Sequence, residues 1–490
     1  MKFKVKDMNL STGGTLVAAL SERDAKDLDL HSGDRILIKK GKKEAVAILD
    51  VSEGKKAVPH GKIGLFEELL KKLNVKPGTE LEVSFTGKPE SVKHIREKLY
   101  GKHLSYQDLY HIVDDITNDR LTDIEKTYFV SACFSNGLSN NEIVDLTRAM
   151  VNTGEKLKFP GIVLDKHCIG GVPNNRTTMI VIPIIAAAGF TIPKTSSRAI
   201  TSPAGTADTM ECLAKVMLGK NKIKSIIKKT GACMVHGGAM NLAPADDKII
   251  KVEHPISIDA EGQLLASVMA KKHSVGASHV LIDIPMGRST KANTWQKAKH
   301  LRSMFKLIGK NLGMNVKVIV TDGSQPIGNG IGPLLEAEDV MKVLSNHPDA
   351  PQDLRRKSLM MASTLLEMTG KYRNGKKKAH EILESGAAMQ KMIDIIRAQG
   401  KVKKLTVGKY TYKVKSGKIG RVKEINNEII AKIARVTGAP VDKGSGLYLE
   451  KKVGCIVKRG GLLYTIYAES AAKLELAKAA VRKNNGYLVR

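Results

Sequence analysis

The stretch Lys166-His167-Cys168-Ile169-Gly170-Gly171-Val172-Pro173-Asn174-Asn175-Arg176-Thr177-Thr178 follows the short apolar run Ile162-Val163-Leu164 and precedes a long one, Met179 to Phe190. That order reads as a strand, a polar glycine-rich loop and a buried helix. Paired glycines let backbone N–H groups come close to an anion. A helix start adds the positive end of its dipole. Lys166, His167, Arg176, Thr177 and Thr178 add cationic and hydroxyl donors. The arrangement points to a site for phosphate or another oxyanion. The alternative is an ordinary strand-to-helix turn whose glycines satisfy geometry alone, since the spacing is neither a P-loop nor a dinucleotide fingerprint.

A second loop follows closely: Ile192-Pro193-Lys194-Thr195-Ser196-Ser197-Arg198-Ala199-Ile200-Thr201-Ser202-Pro203-Ala204-Gly205-Thr206-Ala207-Asp208. It is dense in hydroxyls, and Lys194 and Arg198 can offset phosphate charge. Such composition also suits a solvated loop. Two loops of this kind so near each other favour the oxyanion reading.

Working outward, residues 1–88 read as a β-rich module, with strands over Arg35–Ile38, Ala45–Leu49 and Leu81–Phe85. Residues 89–158 are helical, with capping-box starts at Ser105-Tyr106-Gln107-Asp108 and Ser139-Asn140-Asn141-Glu142. Residues 159–340 alternate strand and helix. Val280–Ile284 and Val316–Val320 suit buried, parallel strands, with a helix over about 294–312 between them. Residues 341–402 are helical again, and residues 403–490 form a small α+β unit. The fold class is therefore α/β with α+β additions. In open α/β sheets ligands sit beyond the carboxyl ends of strands. The loop after Leu164, the loop at Pro285-Met286-Gly287 and the loop at Asp322-Gly323-Ser324-Gln325-Pro326 all fall there.

Composition agrees with a large globular chain. It has 490 residues, 42% of them hydrophobic, enough for several domains with their own cores. The longest apolar run is too short to cross a bilayer, and the N-terminus lacks a signal-peptide core. Five scattered cysteines without CxxC spacing argue for reduced thiols, a cytoplasmic setting and no zinc site. The net charge of +31 has three readings. It can serve nucleic-acid binding, the steering of anionic substrates, or solvated lysine faces alone. The basic residues are spread along the chain without an aromatic-interleaved stripe, so nucleic acid is not expected as a partner.

The blocks KHCIGGVPNNRTT, KTSSRAITSPAGTAD, HGGAMNLAPADD, SIDAEGQLLASVMAKK and DGSQPIGNGIGPLLEA occur in that order. Together they closely resemble the thymidine phosphorylase and AMP phosphorylase family, in its archaeal-type branch, over roughly the whole chain. The resemblance implies a helical domain and a larger α/β domain with a cleft between them, a small C-terminal α+β domain and an added N-terminal β domain. It implies reversible phosphorolysis of an N-glycosidic bond, in which phosphate attacks the anomeric carbon and the base departs. It calls for no cofactor, inorganic phosphate being a co-substrate, and for a homodimer or larger homo-oligomer away from membranes.

By the same resemblance, phosphate is held by Lys166, the backbone at Gly170 and Gly171, Ser197 and Thr206. Ligand contacts run along Ser197, Arg198, Ala199, Ile200, Thr201 and Ser202. Asp259 matches the proton donor to the leaving base, a role open to a carboxyl group whose pKa burial has raised. Ser267 and Lys271 share a helix face and match base-contacting positions. The alternative for them is a solvated face with Lys272. Lys291 matches a further ligand-contacting lysine. His167 is either a contact to base or sugar or a structural histidine. Three departures stand out. Cys168 stands where relatives commonly have serine, Asn174 where they have glycine, and His254 near where several have arginine. A thiol is a poorer donor than a hydroxyl, and asparagine tolerates left-handed backbone.

Three functions follow from these readings. The first is phosphorolysis of nucleoside 5′-monophosphates, AMP and phosphate giving adenine and ribose 1,5-bisphosphate. The second is phosphorolysis of thymidine or another pyrimidine nucleoside. The third is a basic nucleic-acid binder on a degenerate enzyme fold. A second cationic pocket for a 5′-phosphate separates the first from the second. Salt-dependent binding without turnover marks the third.

Overall fold

A computed structural model describes residues 1–54, 56–199, 202–256, 258 and 260–490, with the side chains of Ala239, His254 and Ile256 outside the description. The chain divides into two compact units. One is Met1–Thr153 with Pro244–Leu264, the other Gly154–Ala243 with Leu265–Arg490.

The first unit begins with β1 (Lys2–Asp7), β2 (Val17–Ser21), α1 (Glu22–Asp27), β3 (Arg35–Lys40), β4 (Lys43–Ser52), β5 (Lys62–Leu65), α2 (Glu67–Leu73) and β6 (Glu80–Phe85). These strands close into a barrel in the order β1-β5-β2-β4-β3-β6. Period-two alternation supplies its core: Phe3 and Val5, Ile36 and Ile38, and Ala45, Ala47 and Leu49 point inward. Closure leaves no strand edge free.

Four helices follow: α3 (Ser91–Leu99), α4 (Tyr106–Thr117), α5 (Asp123–Asn136) and α6 (Asn140–Asn152). Capping boxes open α4, α5 and α6. The hydroxyls of Ser105, Thr122 and Ser139 accept from the N3 amides, and the carboxylates of Asp108, Glu125 and Glu142 accept from the cap amides.

The second unit continues with β7 (Leu164–Cys168), α7 (Thr177–Ala187), β8 (Ile192–Ser196), α8 (Thr206–Glu211), α9 (Lys220–Thr230) and β9 (Ala232–His236). The chain then re-enters the first unit as α10 (Pro244–Ile256), which packs on α4, α5 and α6. There Lys248 forms an ion pair with Asp119. The chain returns along α11 (Glu261–Ser274). The sequence reading of residues 159–340 as one continuous stretch misses this excursion. An amphipathic helix such as α10 finds its partner by packing and not by its neighbours in sequence.

Next come β10 (His279–Met286), α12 (Trp295–Asn311), β11 (Asn315–Asp322), β12 (Gly330–Ile331), α13 (Pro333–Leu344), α14 (Gln352–Met368), α15 (Gly375–Glu384) and α16 (Ala387–Gln399). Strands β11, β10 and β7 form a parallel sheet in that order, and β8 and β9 pair in parallel beside it. A bridge from Val163 to Thr191 links the two. Helix α7 is buried at almost every position because α14, α15 and α16 pack around it.

The C-terminal part holds β13 (Tyr410–Lys415), β14 (Gly420–Ile425), α17 (Asn427–Val436), β15 (Gly446–Leu449), β16 (Ile456–Val457), β17 (Leu462–Ala468), α18 (Ala471–Lys483) and β18 (Tyr487–Val489). Its two sheets run β12-β15-β17-β13 and β16-β14-β18 around a separate core. The strand β12 comes from the preceding segment, so that core is stitched to the α/β layer. Among the described residues, no helix is long and apolar enough to cross a membrane.

One expectation about the opening stretch needs correction. The strand does not stop at Leu164: β7 carries Asp165, Lys166, His167 and Cys168 as paired strand residues. The reason is electrostatic. These polar side chains find buried partners on both sides of the sheet, so their charge does not expel them from it.

Candidate active site

Strand β7 pairs with β10 in the register Leu164–His279, Asp165–Val280, Lys166–Leu281, His167–Ile282 and Cys168–Asp283. Successive side chains alternate between sheet faces. Lys166, Cys168 and Asp283 therefore share one face, and Asp165 and His167 the other.

On the first face, the Lys166 side chain is fully buried, and its Nζ donates to Thr177 Oγ1 at 2.7 Å and Thr178 Oγ1 at 3.4 Å. Both hydroxyls lie in the first turn of α7. Among the described residues, Lys166 forms no ion pair with a carboxylate. Burial lowers its pKa. The network continues outward. Thr177 Oγ1 donates to Asn175 Oδ1 at 3.2 Å, and Asn175 Nδ2 donates to Asp283 Oδ2 at 3.2 Å and Cys168 Sγ at 3.0 Å. Thr321 Oγ1 donates to Asp283 Oδ1 at 2.6 Å. Lys357 of α14 lies 3.1 Å from Asp283 Oδ2. Burial pushes the Asp283 carboxyl up, but the charges of Lys357 and Lys166 carry it below the usual carboxylate value. Burial and Asp283 push the Cys168 thiol up to about 11, so it stays protonated and is no nucleophile at neutral pH.

The loop between β7 and α7 turns through left-handed backbone. Gly170 and Gly171 take φ of +96° and +92°, and Asn174 takes +53°. Gly171 is also forced by proximity, since a Cβ there would lie 2.7 Å from Thr290 Cα. The Asn174 amide donates to Asp339 Oδ2 at 2.7 Å, so this residue fits the left-handed turn and anchors it.

On the second face, Asp165 is fully buried between two lysines. Its Oδ1 lies 3.1 Å from Lys194 Nζ and its Oδ2 2.8 Å from Lys272 Nζ. Burial pushes the Asp165 carboxyl up, and the two ammonium groups bring it below its ordinary value. Beside it, burial and then the charges of Lys272, Lys194, Lys166 and Lys271 hold His167 well below its usual pKa. The imidazole is therefore neutral at pH 7. It can donate or accept one hydrogen bond at each nitrogen according to tautomer.

The second loop is tied down rather than open. Arg198 makes a two-pronged bond to Glu211 at 2.6 Å for each nitrogen and reaches Asp208 at 3.2 Å. Two acidic groups on α8 hold the guanidinium. That bond brings the Glu211 carboxyl down to about 2 against its burial. Asp208 also accepts from the amides of Ala199 and Gly205. Lys194, read as offsetting charge in this loop, is the Asp165 partner and also donates to the Lys166 carbonyl. Ser197 and Ser202 are exposed, and Thr206 is half-buried. Arg176 ties the two loops together, donating to Thr206 Oγ1 and the Ala204 carbonyl while pairing with Glu336.

Ser267 and Lys271 are half-buried on α11, one turn apart. Lys272 is buried against Asp165, so it is not part of the solvated face the sequence offered. Lys291 is exposed on the loop after β10, next to the Thr290 that crowds Gly171. Ile200, Thr201 and Asp259 lie outside the described residues, as does the side chain of His254.

The sequence reading passed over Asp283, Lys272, Lys357 and Ser196. The signals existed. Asp283 interrupts an apolar strand run. Lys272 follows Leu265 and Met269 on the buried stripe of α11, and Lys357 lies between Leu354 and Met361 on that of α14. The Ser196 hydroxyl, at the carboxyl end of β8, is buried with no hydrogen-bond partner among the described residues.

This chain is similar to known proteins over most of its length. Residues 160–389 match the family described as "Glycosyl transferase family, a/b domain", residues 92–154 its "helical bundle domain", and residues 421–488 the "Pyrimidine nucleoside phosphorylase C-terminal domain". The chain is 46% identical to "AMP phosphorylase 1" of Archaeoglobus fulgidus, across 95% of this chain and 93% of that protein. It is 43% identical to "Putative thymidine phosphorylase" of Legionella pneumophila (strain Paris), across 93% and 88%. Among solved structures, the anthranilate phosphoribosyltransferase of Thermus thermophilus aligns with a TM-score of 0.53 at 17% identity, over 62% of this chain and 99% of that one. That likeness shows a shared fold. With the glycine loop and buried lysine in place, the relatives settle the lineage: this chain belongs to the thymidine phosphorylase and AMP phosphorylase family of glycosyl transferases.

Proposed function

We propose that this protein carries out the reversible phosphorolysis of nucleoside 5′-monophosphates, AMP and inorganic phosphate giving adenine and ribose 1,5-bisphosphate, in nucleotide salvage. The observation that carries the reading is Lys166, a buried ammonium on hydroxyls with no carboxylate partner among the described residues. A buried cation without a counter-charge is costly unless an anion completes it. The 46% identity to "AMP phosphorylase 1" supports reading that anion as the attacking phosphate and the nucleotide as its co-substrate.

In this reading Lys166, the amides of Gly170 and Gly171, Ser197 and Thr206 hold phosphate in line with the anomeric carbon. Ser196, whose hydroxyl lacks a partner among the described residues, joins them. Positioning of this kind converts an encounter between two substrates into a reaction within one complex. As the bond breaks, positive charge develops on the sugar and negative charge on the base. Neutral His167 supplies a hydrogen bond without adding a charge that would oppose the forming cation. Ser267 and Lys271 face the base, Asp259 protonates it, and Lys291 meets the nucleotide 5′-phosphate. Arg198 acts through Glu211 and Asp208, the latter also accepting from the Ala199 amide. The reading includes a cytoplasmic homodimer or larger homo-oligomer, with no cofactor besides phosphate as co-substrate.

Phosphorolysis of thymidine is the second reading, favoured by relatives at 43% identity that carry that name. Phosphate-dependent base release, with AMP, CMP, UMP, thymidine and uridine compared side by side, separates the two. Release from AMP and not from nucleosides is the expected result. Release from thymidine or uridine alone would transfer the assignment to the nucleoside phosphorylases.

A further inference from the structure

We propose that Lys357 is a positioning residue for phosphate binding: by holding Asp283, it keeps the Lys166 ammonium off that carboxylate and turned toward the hydroxyls at the start of α7. The inference rests on the phosphorolysis reading above.

The geometry is that of a competition already decided. Asp283 and Lys166 stand on the same face of adjacent strands, with Cys168 as the direct register partner of Asp283. Asp283 is fully buried, and a buried carboxylate draws in whatever cation can reach it. Lys166 would be that cation. It instead rests on Thr177 and Thr178, while Lys357 arrives from the opposite layer on α14 and lies 3.1 Å from Asp283 Oδ2. The Lys357 side chain is only 9% exposed, and its Nζ donates no well-directed hydrogen bond among the described residues. Its contribution is charge at one place. The other bonds to Asp283 come from Asn175 in the glycine loop and Thr321 at the end of β11. Lys357 thus fixes the carboxylate that orients the loop amide, and it leaves Lys166 as the cation not committed to a carboxylate.

The test compares steady-state kinetics with AMP and inorganic phosphate for the full-length protein, Lys357→Met, Lys357→Arg and the double variant Asp283→Asn/Lys357→Met. Loss of a partner behind a ligand-binding group commonly weakens binding roughly 10- to 100-fold. Lys357→Met is expected to raise the phosphate KM by that factor and to leave the AMP KM within about threefold. Lys357→Arg restores it. The double variant recovers at least about tenfold of the loss, because no carboxylate remains to capture Lys166. A structural role alone predicts the opposite: the double variant is no better than Lys357→Met, and both KM values move together with the melting temperature. A phosphate KM within about twofold of the unaltered protein in Lys357→Met, or a double variant no better than the single, overturns the inference and leaves the phosphorolysis reading intact. Should Lys357→Met fail to fold, Lys357→Gln is measured against Asp283→Asn/Lys357→Gln with the same two outcomes. An unaltered protein that releases no base with phosphate overturns both.

Discussion

On one face of β7, Asp165 meets two lysines directly, Lys194 at 3.1 Å and Lys272 at 2.8 Å. On the other, Asp283 meets Lys357 at 3.1 Å, while Lys166 lies on Thr177 and Thr178. Each face buries one carboxylate and two lysines, but only one of them ties both lysines to its carboxylate. The first face is a closed clamp under His167. The second leaves a cation pointing to the glycine loop. Taken together, four lysines oppose two carboxylates, and burial brings Lys272 down to about 7, so the cluster carries a net positive charge smaller than a count of side chains gives. Repulsion between like charges in a poorly screened interior is large, so under the proposed function a phosphate bound here would lower the energy of the cluster.

The sharpest way to break this comparison is to remove a single charge from each face. Asp165→Asn strands Lys194 and Lys272 without a counter-charge and is expected to destabilise the protein by about 3–5 kcal/mol in denaturant unfolding. Stability equal to the unaltered protein would show that the clamp is not electrostatic. Lys166→Met removes a cation that has no carboxylate to leave behind. Its expected effect falls on rate, with phosphate-dependent turnover lower by roughly 10²–10³-fold and stability unchanged or improved. A fall in melting temperature equal to that of Asp165→Asn would erase the distinction between the faces.

Acid and base then sharpen it. Lysine charges hold Asp165 and Asp283 below the usual carboxylate value despite burial. Their stabilisation is therefore complete above the unfolded carboxylate pKa, near 3.8, and is lost as pH falls through the folded values below it. Acid unfolding of Asp165→Asn should show a smaller pH dependence in that range than the unaltered protein. At the other end, burial depresses Lys166 below the ordinary lysine value of 10.5. Phosphate affinity should thus weaken with rising pH before 10.5 is reached, which calorimetric titration between about pH 7 and 10 would follow. A flat affinity across that range would remove Lys166 charge from the account.

The smallest effect concerns the loop itself. Asn174→Ala keeps a side chain at φ +53° but loses the bond to Asp339. A loss of about 1–2 kcal/mol is expected, less for Asn174→Gly, which removes the backbone strain. Equal losses for the two would show that the left-handed conformation carries no weight.

What could be read from sequence follows the range of the interaction. Capping boxes at Ser105 and Ser139 are local, and both are formed. The apolar runs at Val280–Ile284 and Val316–Val320 mark two strands of the parallel sheet, but only the first is buried as expected: β11 lies at the sheet edge, with Val318 its one buried residue. The tolerance of Asn174 for left-handed backbone was likewise legible, being a property of one residue. The partners of the buried charges were not. Asp283 and Lys357 lie far apart in sequence, and Lys194 and Lys272 come from a strand and a helix on either side of Asp165 in space. Hydropathy treats each lysine as a surface residue, so both faces of β7 look like one polar loop. The stripe positions of Lys272 and Lys357 on their helices were the available clue, visible once a lysine is asked which helix face it occupies.

The most direct test of the central claim is a calorimetric titration of inorganic phosphate into the unaltered protein and Lys166→Met at neutral pH. Binding by the unaltered protein, weakened at least about 100-fold in a stably folded Lys166→Met, is the result this account predicts. Equal phosphate affinity in the two proteins would contradict it.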